Sequence, residues 1–151
     1  MGVYYLEEEN LWFDDVNSPK RGGHSKFAFS RAKATISIIS AVRNDYINKH
    51  IVIKIPVSTT STDTIKKVFK FANEPYIDTG DVYDGMTHVN IRMATTLNDI
   101  ATELLNAIKG ENGFGEDIDV SIVSGSPTKL LLTQILGGTS GNTEITTNVT
   151  D

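Results

Sequence analysis

The sequence contains no cysteine, which excludes a disulfide framework, a thiolate zinc site and a cysteine nucleophile. It also has no run of about 20 apolar residues, so no segment is expected to span a bilayer. The first residues, MGVYYLEEEN, lack the basic-then-apolar order of a secretory signal, and we expect a soluble protein made in the cytosol. Proline is scarce, with 4 residues, and the 39% of hydrophobic residues suffice for one folded core.

Charge is unevenly distributed along the chain. Residues 1–15 contain acidic but no basic side chains, residues 16–43 contain basic but no acidic ones, and the remainder is acidic overall. A basic segment can bind phosphate, but the acidic domain that follows would repel a nucleic acid. We therefore expect no nucleic-acid partner, and we predict that the two charged segments contact complementary patches on neighbouring subunits.

The start of the chain is rich in large apolar side chains and contains the only tryptophan. Leaving them in water forgoes about 25 cal/mol for each Å² that could be buried, so something is expected to cover them. That cover is either the chain's own domain or another chain. We expect an N-terminal arm, residues 1–40, before a domain at 41–151. The predicted interface residues of the arm are Tyr4, Tyr5, Leu6, Leu11, Trp12, Phe13, Lys20, Arg21 and Arg31.

Alternating apolar residues predict most of the remaining structure as strands. HIVIKIPV and TIKKVFKF form a predicted hairpin, THVNIRM a third strand, IDVSIV and TKLLLTQI a further pair, and NTEITTNV a polar last strand. ATISIIS, within the arm, is another candidate strand. The residues expected to face the core from the first three strands are Ile51, Ile53, Ile55, Val57, Ile65, Phe69, Phe71, Val89, Ile91 and Met93.

One segment has the period of an amphipathic helix, residues 97–109. Thr96 is its predicted cap, with Asp99 three residues later, and Gly110 is expected to close it in a left-handed conformation. The predicted fold class is therefore α+β, a mostly antiparallel sheet covered by one helix, with an extended N-terminal arm.

Two segments resemble a small module of virion structural proteins from tailed bacteriophages. These are the helix LNDIATELLNAIKG and the closing motif LTQILGGTSGNTEIT, and the resemblance covers about residues 50–148. It implies a structural role in a phage particle, with other virion proteins and copies of the same chain as partners. A capsid decoration or cement protein is the first expectation, and a connector, tail, baseplate or fibre subunit the alternative.

The closing motif contains Gly137, Gly138 and Gly141, which give the backbone freedom to reverse, and Asn142 tolerates positive φ. A phosphate-binding loop would need a helix after the glycines, whereas the residues that follow favour a strand. We therefore predict a hairpin here.

The loop DTGDVYDG suggests two kinds of chemistry that we weighed against an ordinary turn. Asp78, Thr79 and Gly80 spell the triplet of aspartic proteases, and Ile135, Leu136 and Gly137 form the downstream apolar-apolar-glycine segment that also recurs in those enzymes. Together they suggest a dimeric protease with Asp78 as the catalytic residue. Asp78, Asp81 and Asp84 also form an oxygen-rich cluster that suggests calcium, although the spacing fits no EF-hand. Neither signal is strong enough to predict a catalytic residue, a cofactor or a metal site, and we expect the protein not to be an enzyme.

The three histidines are isolated in sequence, and His88 is expected to point to solvent because its neighbours face the core. A carbohydrate-binding adhesin is the alternative from another class, with Tyr83, Trp12 or His88 exposed beside acidic residues. The expected location is the virion.

Overall fold

The computed structural model describes residues 3–7, 31–40, 42–137 and 143–149. These residues form two β-sheets and one α-helix, which confirms the predicted α+β class. In chain order the elements are β1 Val3–Glu7, β2 Arg31–Ser37, β3 His50–Pro56, β4 Thr64–Ala72, β5 Val82–Tyr83, β6 Met86–Asn90, α1 Leu97–Lys109, β7 Ile118–Val123, β8 Ser126–Gly137 and β9 Ile145–Thr147.

The strands divide between two sheets rather than forming the single sheet expected. The first sheet has the order β1-β2-β8-β7 and is antiparallel throughout. The second has the order β5-β6-β4-β3-β9, and its one parallel pair is β4 with β6. The edge strands β1 and β9 lie next to each other, so the two sheets adjoin along this side.

The predicted hairpin of β3 and β4 is present, with Ile51 opposite Phe69 and both buried. The inward pattern fails at the end of the hairpin, where Val57 and Ile65 are exposed. Met93, the last residue of the third predicted inward set, is 80% exposed, because β6 ends at Asn90 and the chain turns. Alternation in the sequence therefore predicts buried residues correctly only along the part of a strand that the rest of the fold covers.

The helix α1 has the predicted bounds, and its N-terminal cap is confirmed. The Thr96 hydroxyl accepts a hydrogen bond from the Asp99 amide, and the Asp99 carboxylate accepts one from the Thr96 amide. The predicted left-handed closure at Gly110 is wrong, since that residue is extended with φ −68° and ψ 168°. The chain instead wraps back over the end of the helix, where the Phe114 amide donates to the Ile108 carbonyl at 2.8 Å.

The helix packs on strands of both sheets, namely β4, β6, β7 and β8. Its buried residues meet the inward faces of these strands and form one core. The largest fully buried side chains are Phe69, Phe71, Ile36, Ile53, Ile91, Ile100, Leu104, Ile108, Leu130, Leu132, Val89 and Val120.

Candidate interaction surface

The predicted arm contributes two strands to the first sheet. The backbone of Tyr4, Tyr5 and Leu6 lies in β1, which pairs with β2 through a register that shifts between Val3 and Leu6. Strand β2 is an inner strand, because β1 and β8 flank it and it buries Ala32, Ala34 and Ile36. The folded unit therefore includes residues upstream of position 40.

The other predicted interface residues are placed as follows. Arg31 is exposed at the start of β2, opposite Gly137 of β8. Leu11, Trp12, Phe13, Lys20 and Arg21 lie outside the described residues. Strand β1 is the last in its sheet and, among the described strands, pairs with β2 alone. Its other side lies next to β9, the last strand of the second sheet.

The outer face of the second sheet carries a group of basic side chains, and this is a surface that sequence reasoning located only in part. The cross-strand pairs on this face are Val52 with Val68 and Lys54 with Lys66, while Lys70 lies opposite His50. We call Lys54, Lys66, Lys70, Val52 and Val68 the lysine face. Alternation in β4 predicts that Lys66 and Lys70 point outward. Lys54 lies beside Lys66 on the same face because of the register in which β3 pairs with β4.

The lysine face is partly accessible to solvent. Lys66 is exposed, and the other members are half-buried. The Lys54 ammonium lies 3.7 Å from the Glu144 carboxylate, a surface ion pair that contributes little. The opposite face of these strands contains the core residues Ile53 and Phe69, so the sheet separates a buried apolar side from a cationic one.

The acidic loop between β4 and β6 is held by hydrogen bonds of its own. The Asp78 amide donates to the Asp81 carboxylate at 2.9 Å, the Gly80 amide donates to the His88 carbonyl at 2.8 Å, and the Thr79 hydroxyl donates to Glu103 of α1. Gly80 has φ 102°, which an L side chain rarely adopts. The DTG triplet therefore forms a turn that is fastened to β6 and to the helix.

The structure separates the two segments that suggested a protease. Asp78 is exposed in the loop beside the second sheet, whereas Ile135 and Gly137 lie near the end of β8 in the first sheet. The same loop suggested calcium. Within the described ranges, no group of three or more histidine, aspartate or glutamate residues is arranged to hold a metal ion.

The prediction that His88 points to solvent is wrong, because its side chain is only 5% exposed. It does lie on the outer face of the sheet, opposite Lys70, as the alternation indicated. Tyr83 covers it from β5, with the two rings edge to face and their centroids 5.4 Å apart. The loop that returns the chain to β6 therefore buries a position that would otherwise be in water.

The predicted hairpin at the closing motif is also wrong. Strand β9 pairs with β3 of the second sheet and not with β8, so the chain crosses from one sheet to the other between residues 137 and 145. Gly138, Gly141 and Asn142 lie outside the described residues. Gln134 before the crossing and Thr143 after it both donate to the Lys54 carbonyl oxygen, which ties the two sheets together at this point.

Searches against family models, curated proteins and solved structures found no match to this chain. In the described part of the chain, no helix has the length and apolar character needed to cross a membrane.

Proposed function

We propose that this protein is a structural component of a bacteriophage particle that acts through subunit-subunit binding and not through catalysis. The observation that carries the proposal is the position of β1. The acidic, aromatic start of the chain joins the fold as the last strand of the first sheet, so the acidic and aromatic residues that follow it in sequence begin at the border of that sheet. An extended terminal segment that reaches the surface of a neighbour is a common way for subunits to bind one another.

The segment after β1 supports the same function. Leu11, Trp12 and Phe13 follow the strand after three residues, and aromatic side chains concentrate binding energy at interfaces. The basic residues Lys20, Arg21 and Arg31 would align the arm with acidic surface on a neighbour. Within this class we favour a capsid decoration or cement protein over a connector, tail, baseplate or fibre subunit, and the protein would reside in the virion with other virion proteins and copies of itself.

The test uses the full-length chain and a variant with three substitutions, Leu11→Ser, Trp12→Ser and Phe13→Ser, which leaves β1 intact. Sedimentation velocity and electron microscopy would measure self-assembly, and mass spectrometry of purified particles would measure incorporation. We expect the native chain to assemble or to enter particles and the variant to lose this. Full incorporation of the variant, at an unchanged melting temperature, would refute the role of the arm.

A second candidate is a carbohydrate-binding adhesin, favoured by one feature of the acidic loop. Tyr76 is 91% exposed and Tyr83 is 48% exposed, and the carboxylates of Asp78 and Asp81 belong to the same loop. Exposed aromatic rings beside carboxylates are suited to sugar rings and their hydroxyl groups. Glycan-array binding by the full chain that is lost in Tyr76→Ala would support this function. Of the other predicted sugar contacts, His88 is buried and Trp12 lies outside the described residues.

A further inference from the structure

The lysine face and the acidic start of the chain share one arrangement, in which apolar side chains lie between two charged groups. The charges of the two are opposite in sign. On β3 and β4, Val52 and Val68 lie between the Lys54–Lys66 pair on one side and Lys70 on the other. In the sequence, Leu11, Trp12 and Phe13 lie between Glu7, Glu8 and Glu9 on one side and Asp14 and Asp15 on the other. We infer that residues 7–15 of a second copy of this chain dock on the lysine face.

The spacing of the two patterns agrees. Lys54 and His50, opposite Lys70, are four residues apart on β3, which is about 13 Å along a strand. Glu9 and Asp14 are five residues apart, which is roughly 17 Å in an extended chain. An extended segment can therefore place carboxylates near the lysines at both ends while its apolar residues cover the two valines. Burial of those valines and of the aromatic rings would supply the non-electrostatic part of the binding energy.

The charges on the two partners favour this pairing over the other surfaces of the molecule. Residues 7–15 contain acidic side chains and no basic one. Of the acids that the structure describes, Glu144 is the one that pairs with the lysine face, at Lys54. The acidic loop lies at the edge of β6 away from β4 and would repel the segment there. The segment is thus directed to β3 and β4.

The choice of a second copy rests on the proposed function. A segment that binds the face of a neighbour leaves its own face free for the segment of another copy, so the contact is head-to-tail and repeats. A repeating contact of this kind is what a subunit of a particle requires. If residues 7–15 docked on the lysine face of their own chain, both surfaces would be occupied and no contact between subunits would form.

The experiment measures binding of a fluorescent peptide of residues 4–15 to the full-length chain by anisotropy, together with sedimentation velocity of the chain itself. We expect saturable binding that weakens as salt is raised, because solvent-exposed charges are screened. Lys66→Glu with Lys70→Glu should weaken binding at least about tenfold, since two attractive contacts become repulsive. Lys129→Glu, an exposed lysine on β8, is the matched control and should leave binding unchanged.

A variant with Lys66→Gln and Lys70→Gln separates lost attraction from misfolding and should bind with intermediate affinity. A peptide in which Glu8, Glu9, Asp14 and Asp15 are replaced by lysine should bind the Lys66→Glu, Lys70→Glu chain better than the native chain. Unchanged peptide affinity in the Lys66→Glu, Lys70→Glu chain would overturn the inference. The inference would also be overturned if the native chain stays monomeric and does not bind the peptide. Residues 7–15 would then dock on the lysine face of their own chain or on no lysine face at all.

The particle assay distinguishes failure of this inference from failure of the proposed function. If the Leu11, Trp12 and Phe13 variant fails to assemble while the Lys66→Glu, Lys70→Glu chain assembles normally, the arm binds a neighbour elsewhere. The proposed function then stands and the lysine face is not its receiving surface. If neither variant changes assembly, both proposals are refuted.

Discussion

Gln134 and Thr143 are hydrogen-bonded to each other where the two sheets join, with Gln134 Nε2 lying 3.1 Å from Thr143 Oγ1. Gln134 is 4% exposed, and its amide also donates to the Lys54 carbonyl oxygen at 3.4 Å. Thr143 donates to the same oxygen. One carbonyl of β3 thus receives donors from the end of β8 and from the approach to β9. The polar residues of the closing motif stabilise a crossing between sheets and not a hairpin.

Replacing Gln134 with methionine should therefore destabilise the fold. The substitution keeps much of the volume but removes both donors, and we expect a loss of about 1–3 kcal/mol in the free energy of unfolding, measured by urea denaturation. Thr143→Val should also destabilise, whereas Thr143→Ser keeps the hydroxyl and should cost less. A double-mutant cycle of Gln134→Met with Thr143→Val should give a coupling energy of about 0.5–3 kcal/mol. A coupling near zero would show that the two side chains act independently.

Gly113 is the glycine that the end of α1 requires. A Cβ at this position would overlap with the carbonyl oxygens of Ala107 and Ile108 and lie 2.8 Å from the Ile108 carbonyl carbon. Because backbone atoms cannot move aside as a side chain can, Gly113→Ala should cost roughly 2–3 kcal/mol in thermal or urea unfolding. Gly110→Ala is the matched control, since its Cβ would lie 3.1 Å from the Asn106 carbonyl oxygen and its φ suits alanine. Equal losses for the two variants would contradict this account.

The Thr96 cap should contribute measurably to stability. Its hydroxyl satisfies the Asp99 amide at 3.1 Å, one of the amides that the first turn of a helix leaves without a partner. Thr96→Ala should lower the free energy of unfolding by about 1 kcal/mol, and Thr96→Ser should retain most of it. Circular dichroism during urea denaturation measures both. If serine fails to rescue stability, the hydroxyl is not the group that matters.

Asp99 should make stability depend on pH in the acid range. Hydrogen bonds from the Thr95 amide and hydroxyl and from the Thr96 amide hold the pKa of this carboxyl below its ordinary value. A carboxyl with a lowered pKa in the folded state stabilises the fold above its unfolded pKa and loses that contribution as pH falls through the folded one. The stability deficit of Asp99→Ala should therefore be largest near neutral pH and shrink in acid. A deficit that stays constant with pH would contradict the assignment.

Tyr46 should make stability depend on pH in the alkaline range, where its contribution is lost as pH rises. Burial raises the pKa of its phenol, which donates to the Ser40 carbonyl and accepts from the Ser40 amide, both at 2.9 Å. A raised pKa means that the neutral form stabilises the fold below the unfolded value, and that this is lost as pH rises through the folded one. Tyr46→Phe should cost about 1 kcal/mol at neutral pH in urea denaturation. The difference in free energy of unfolding between Tyr46→Phe and the native chain should become smaller in alkali.

Local sequence patterns predict the structure correctly where the residues that form it are close together in the sequence. The bounds of α1 and its cap follow from the apolar period and from Thr96 and Asp99, which lie within one turn of each other. The hairpin of β3 and β4 follows from alternation, because β3 buries every second residue and β4 buries Phe69 and Phe71 against the same core. Alternation also predicts two of the three lysines of the lysine face, since Lys66 and Lys70 lie on the side away from Phe69 and Phe71.

Other features depend on contacts between segments distant in sequence. His88 is buried because β5 pairs beside β6 and brings the Tyr83 ring over a position that alternation assigns to solvent. The helix closes through Gly113 and Phe114, because the chain after Gly110 folds back on the last carbonyls.

The sequence by itself determined the fold class, the position and cap of the single helix in the described residues and the main hairpin, because these depend on neighbours a few residues apart. Only the tertiary structure decided that there are two sheets, that β9 joins β3, and that Lys54, Lys66 and Lys70 share one face. The reason is that register and partner choice between strands are fixed by burial across the whole core, and no local pattern contains that information.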